Sequence, residues 1–108
     1  MQRSVERAAQ NEALFRRANE QIQEKAVELG VREERAPYLC ECEDAACTTV
    51  VLLAQAEYEH VRSGPRWFLV APGHEDGDSR VLDRHDGFWV IEKTGEEGRL
   101  VEELDPRA

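Results

Sequence analysis

No run of apolar residues approaches the ~20 that a helix needs to cross a bilayer, and the start, Met1 to Arg7, has no apolar core of signal-peptide length. The sequence therefore predicts a cytoplasmic protein with no membrane span. Positive charge is also in short supply. Fourteen basic residues are scattered among 23 acidic ones, for a net charge of −9, so a nucleic-acid backbone would meet net repulsion and no nucleic-acid partner is expected. A transcriptional regulator working by direct DNA contact would need a basic face that this chain does not show. HExxH, GxSxG, phosphate-binding glycine loops and the deaminase arrangement H-x-E followed by P-C-x-x-C are all absent. Cysteine is scarce as well, with three in 108 residues. An odd count leaves one thiol over in any disulfide scheme.

The three cysteines are concentrated: Cys40, Cys42 and Cys47 form a C-x-C-x4-C cluster. Residues two apart on an extended segment face the same way, so Cys40 and Cys42 can share an ion, and Cys47 returns from the far side of a turn. Three thiolates leave one place open in a tetrahedral zinc shell. His74 is the candidate to fill it, because Pro72-Gly73 is a rigid turn that can aim an imidazole and later loop residues can fix its second nitrogen. His60 and His85 are the alternatives, both placed where solvent exposure is expected, and a water is a further one. The competing readings are three separately packed reduced cysteines and a redox pair. A redox pair is disfavoured by the lack of CxxC and by Glu41, Glu43 and Asp44, whose charge raises a thiol pKa and favours a bound cation. An iron–sulfur cluster would want a fourth cysteine.

Around this cluster the chain reads as one α+β domain: a long helix over 1–30, a core over 37–93, and a short helix or tail over 94–108. Ser4 to Leu29 contains no proline or glycine and is rich in helix formers, and Gly30 stops it. Leu14, Phe15, Ala18, Ile22, Ala26 and Leu29 make an apolar stripe for packing on a sheet or a second helix. At 1.5 Å per residue the helix is about 39 Å long, so its first turns are expected to overhang the body, either as a frayed, solvated N-terminus or as a surface for a protein partner or a homodimer. Pro37 ends the linker. Strands follow over Tyr38 to Cys42 and over Thr48 to Leu53, the second more fully buried, with Glu43 to Ala46 as a hairpin turn carrying the cysteines at its tip. Ala54 to Arg62 reads as a helix with Ala56, Tyr58 and Val61 as contacts, and Trp67 to Ala71 as a buried strand. The last hairpin runs Arg80 to His85 and Phe88 to Lys93 around Asp86-Gly87, a turn in which both central residues can take positive φ. Glu75, Asp76 and Asp78 form a solvated acidic loop without the twelve-residue calcium pattern. Trp67, Phe68, Phe88 and Trp89 belong to the core.

Tyr38 to Cys42, Cys47-Thr48, Ala56 to Tyr58 with Arg62, Phe68 to His74, and Arg84 to Gly87 ending in Glu92-Lys93 resemble a group of small uncharacterised actinobacterial proteins. The likeness extends back through Asn11-Glu12, Phe15-Arg16 and Asn19-Glu20, and it coincides with the C-x-C-x4-C and P-G-H elements. It implies no activity. That group has a threonine before the Glu-Tyr helix where this chain has Leu53-Ala54-Gln55, which leaves the helix cap in question. The expected architecture is a long N-terminal helix packed on a small, mainly antiparallel sheet with a zinc-stapled hairpin. The expected function is a zinc-binding module with a structural metal, used for protein interaction or regulation. The alternative is a hydrolytic zinc enzyme whose metal-bound water is activated by Glu75 or His74.

Overall fold

Ser4 accepts a hydrogen bond from the Arg7 N–H through its hydroxyl (3.2 Å) and so caps the first helix, α1, which spans Val5–Glu28. The computed structural model describes residues 4–30 and 34–107; residues 1–3, part of the leading segment, and 31–33, in the expected linker, lie outside that description, as does residue 108. Seven further elements follow: β1 (Arg35–Leu39), β2 (Val50–Ala54), α2 (Gln55–Val61), β3 (Trp67–Val70), β4 (Ser79–His85), β5 (Phe88–Lys93) and α3 (Gly95–Glu103). The strands make two small antiparallel sheets, β1-β2 and β3-β5-β4. The expected α+β architecture, a long helix packed with small antiparallel sheets, is what the chain adopts. None of the described helices is long and apolar enough to cross a membrane.

The face that α1 buries is not the apolar stripe. Leu14 and Leu29 are 61% and 65% exposed, and of the six stripe residues only Ala26 is fully buried. The buried face lies one position round the helix and is half polar: Glu12, Arg16, Asn19 and Gln23, with Ala8, Ala9 and Ala13. Each of the four polar residues fastens a different part of the chain. Glu12 pairs with Lys93 of β5. Arg16 donates to the carbonyls of Pro65 (2.8 Å), Trp67 (3.1 Å) and Val101 (3.4 Å) and lies 3.8 Å over the Phe68 ring. Asn19 exchanges two bonds with the Leu39 backbone (2.8 and 2.7 Å), and Gln23 donates to the Gln55 carbonyl (3.1 Å) and accepts from the Tyr38 hydroxyl. Burial of polar groups is tolerated only with partners, so this stripe fixes one docking pose where an apolar stripe could slide. Asn19→Ala is expected to cost about 1–3 kcal/mol, because it strands both backbone groups of Leu39. Leu14→Ala should stay within about 0.5 kcal/mol; urea titrations of both variants check the contrast.

The first turns of α1 do not overhang. Ala8 and Ala9 are buried, and α3 packs on this end of α1 with Leu100 and Val101, so that the expected terminal segment is helical over Gly95–Glu103. The first hairpin is also shifted from expectation. β1 begins at Arg35 and contains Pro37, which is tolerable because β1 has only one strand neighbour. β2 alternates, with Val51 and Leu53 buried while Val50 and Leu52 are 54% and 53% exposed, so it is not the fully buried run its composition suggests. The connection between them is ten residues long rather than four. In α2 the Ala54 N–H is capped from inside the helix by the Glu57 carboxylate (2.8 Å), and Tyr58 and Val61 are buried while Ala56 is exposed. The last hairpin has its two-residue turn, but only Gly87 takes positive φ (87°). Phe68 and Phe88 are in the core, with Trp67 and Trp89 half-buried at its margin.

Candidate metal centre

The chain leaving β1 runs on from one sheet to the edge of the other. The Cys40 N–H still makes a ladder bond to the Thr49 carbonyl (3.1 Å), and the next residue, Glu41, donates its N–H to the Leu69 carbonyl (2.7 Å) and accepts from the Leu69 N–H through its carboxylate (2.9 Å). Extended backbone sends alternate side chains opposite ways. Glu41 therefore enters the body, where the Tyr58 hydroxyl (2.6 Å) and Asn19 (2.9 Å) also donate to it, and burial pushes its carboxyl pKa up. Cys40 and Cys42 face the other way. The expectation that Glu41 lends its charge to the thiols is thus corrected: its carboxylate is engaged elsewhere.

Cys47 comes back through a local turn in which the Asp44 carbonyl accepts from the Cys47 N–H (3.0 Å) and its side chain from the Ala46 N–H (2.9 Å). His74 is delivered by a second turn. Its N–H bonds the Ala71 carbonyl (2.9 Å) across Pro72-Gly73, with Gly73 at φ 83°, a conformation that favours glycine. The two loops are tied together. Asp76 accepts from the Glu43 N–H (3.1 Å) through one carboxylate oxygen and from Lys93 Nζ (2.9 Å) through the other, while Asn11 of α1 donates to the Glu43 carbonyl (3.2 Å). Asp76 is therefore a half-buried strut and not part of a solvated loop; Glu75 and Asp78 are exposed.

The result is a cluster of four side chains from three places in the sequence. The ligand-type atoms of Cys40, Cys42, Cys47 and His74 all lie within 4.8 Å of one another, with His74 Nδ1 3.6 Å from Cys40 Sγ and 3.8 Å from Cys47 Sγ. A tetrahedral zinc with legs of about 2.3 Å to sulfur and about 2.0 Å to nitrogen has edges of about 3.5 Å between sulfur and nitrogen and about 3.8 Å between sulfurs. The separations are compatible with that ion. His60 and His85 are exposed and outside the cluster, His85 stacked on Phe88 and His60 tilted against Trp67. Among the described residues no group partners the second nitrogen of His74, so the support expected for it from the later loop is not seen.

Each sulfur also accepts a backbone N–H. Ala71 donates to Cys40 (3.3 Å), Asp44 to Cys42 and Thr49 to Cys47. Donors aimed at sulfur favour the thiolate, the form that binds metal. The thiols differ in the metal-free protein. Burial pushes Cys40 far above the usual thiol range and Cys42 up to about 11. Burial also opposes ionisation of Cys47, but the Thr49 N–H and hydroxyl, with Cys42 and His74, outweigh it and bring Cys47 down to about 7. Burial, hydrogen-bond donors and thiol–thiol contact, rather than the neighbouring acids, thus set these values.

No protein-family model, curated protein or solved structure matches the chain. What sequence reasoning missed is the support around the cluster: Asp76, Lys93, Asn11 and Glu41. Nothing in the local spacing marks them, because their contacts span 17 to 33 residues.

Proposed function

We propose that this chain is a small zinc-binding module whose metal is structural and whose role is protein interaction or regulation. The observation that carries the reading is the gathering of three sulfurs and one imidazole nitrogen within 4.8 Å of one another, with an N–H directed at every sulfur. Three separately packed cysteines would have no use for those donors. Zinc bound here would join the loop between β1 and β2 to the turn after β3, and so clasp the two sheets together.

A structural role is favoured over hydrolysis by the position of His74, which supplies the fourth ligand where a catalytic site keeps water. Glu75, the base that hydrolysis would call on, is exposed. For an interaction role, Leu14, Val27 and Leu29 on α1 present apolar contact points to a protein partner. The reduced thiols such a site needs fit a cytoplasmic setting.

The test is metal content. The purified protein is expected to carry one zinc per chain by mass spectrometry of the native protein, and His74→Ala to weaken retention about 10–100-fold or more against a competing chelator. Retention unchanged in His74→Ala would remove the histidine from the shell and reopen the water-bound, hydrolytic reading.

A further inference from the structure

Among the described residues, every sheet edge but one is protected. On the outer edge of β1, Asn19 bonds both backbone groups of Leu39, and Pro37 has no N–H to offer. On the outer edge of β3, Glu41 takes both groups of Leu69, Arg16 takes the Trp67 carbonyl, and Cys40 accepts the Ala71 N–H. β4 has a register shift between Val81 and Asp83 and carries Arg80, Asp83 and Arg84. On the outer edge of β2 the Glu57 carboxylate takes the Ala54 N–H at the end of the strand, but Val50 and Leu52 have none of these devices. The ladder bond from Cys40 to Thr49 fixes the phase of the pairing. Val51 and Leu53 therefore bond β1, while the N–H and C=O groups of Val50 and Leu52 point away from it. Among the described residues these four groups have no partner.

We infer that β2 is a dimerisation edge, which pairs antiparallel with β2 of a second copy about a two-fold axis at Val51. Val50 N–H and C=O would then meet the corresponding groups of Leu52 in the other copy, and the reverse, so that all four open groups of each strand are used. The two-stranded sheets become one four-stranded sheet ordered β1-β2-β2-β1. The half-exposed side chains of Val50 and Leu52 come together on its outer face, beside Pro37 and Leu39. Charge selects a second copy as the occupant. Residues 48–56 hold no charged side chain in a chain that is 34% charged with a net charge of −9. Two copies would repel at most other contacts, but here they can meet with no like charges opposed. This interface is separate from the cysteine cluster and from the exposed leucines of α1.

Sedimentation over a concentration series tests it with the full, metal-loaded chain, using Leu52→Lys, Val50→Lys and, as a control on the other apolar surface, Leu14→Lys. Both β2 variants change exposed positions, and unaltered metal content and circular dichroism would show that they fold. The expected result is a wild-type dimer whose dissociation constant rises roughly tenfold or more in either β2 variant and is unchanged in Leu14→Lys. Hydrogen exchange at the Val50 and Leu52 amides should be slow in the dimer and fast in the variants. A wild-type monomer throughout the series would overturn the inference. So would a dimer broken by Leu14→Lys alone, or a dimer in which those two amides exchange freely.

Discussion

Stripping the metal with a strong chelator is expected to lower the unfolding free energy by on the order of 10 kcal/mol, which is comparable to the whole stability of a domain this size. The chain between β1 and β2 is ten residues without a strand or helix of its own, and three of its residues would be ligands. Without the ion, two neighbouring thiols sit buried where burial, and then the neighbouring cysteines, oppose their ionisation. The clasp between this loop and the turn at His74 then rests on hydrogen bonds, through Asp76 and from Ala71 to Cys40. Binding must also displace protons. Near neutral pH Cys40 and Cys42, the latter at about 11, are protonated, and Cys47, at about 7, is half so. About two to three protons should leave per zinc, and affinity should fall by about two to three orders of magnitude per unit decrease in pH. Chelator competition at several pH values measures the slope. Full metal-free folding of a Cys40→Ala, Cys42→Ala double variant would contradict the account.

Lys93→Met is expected to cost about 3–5 kcal/mol at neutral pH, the penalty for leaving buried charge without its counterion. Lys93 is fully buried and ion-paired with Glu12, Asp76 (2.9 Å) and Glu97 (3.0 Å), so one ammonium from β5 holds α1, α3 and the loop that carries His74. The arrangement is rich in carboxylates. Burial raises Glu12 from 4.5 to about 7, against the opposing pull of Lys93. The sign of the linkage follows from that direction. Between pH 4.5 and 7 the folded state holds a proton that the unfolded chain has released, so this group favours folding most below pH 4.5. The contribution is lost as pH rises through 7. The span corresponds to about 3 kcal/mol. Glu12→Gln should therefore flatten the pH dependence of stability over that window, and Lys93→Met should be least damaging at its acid end. Denaturant unfolding at pH 5 and pH 7 reads both effects.

Much of this molecule is legible from local sequence. Gly30 ends α1, Pro72-Gly73 makes the turn before His74, and Asp86-Gly87 sets the last hairpin, because turn chemistry acts within three or four residues. The four clustered side chains were accessible for the same reason: close cysteine spacing and a rigid histidine turn are both local signals. The docking face of α1 was not. Apolar periodicity picks Leu14, Phe15 and Ile22, yet the face that is buried carries Glu12, Arg16, Asn19 and Gln23. Each of those is buried because a specific partner waits 15 to 85 residues away in sequence. Polar burial depends on such pairings, and a helix-face pattern cannot foresee them. The exposure of Val50 and Leu52 escapes for a related reason, since composition says that a β-branched run belongs in a sheet but not whether a further strand lies beside it.

The most direct test is X-ray absorption at the zinc edge of the purified, zinc-loaded full chain. The account predicts a four-coordinate ion with three sulfurs at about 2.3 Å and one nitrogen at about 2.0 Å, the nitrogen shell lost in His74→Ala. A spectrum with no sulfur scatterers, or a purified protein that retains no metal and loses no stability to a chelator, would contradict it.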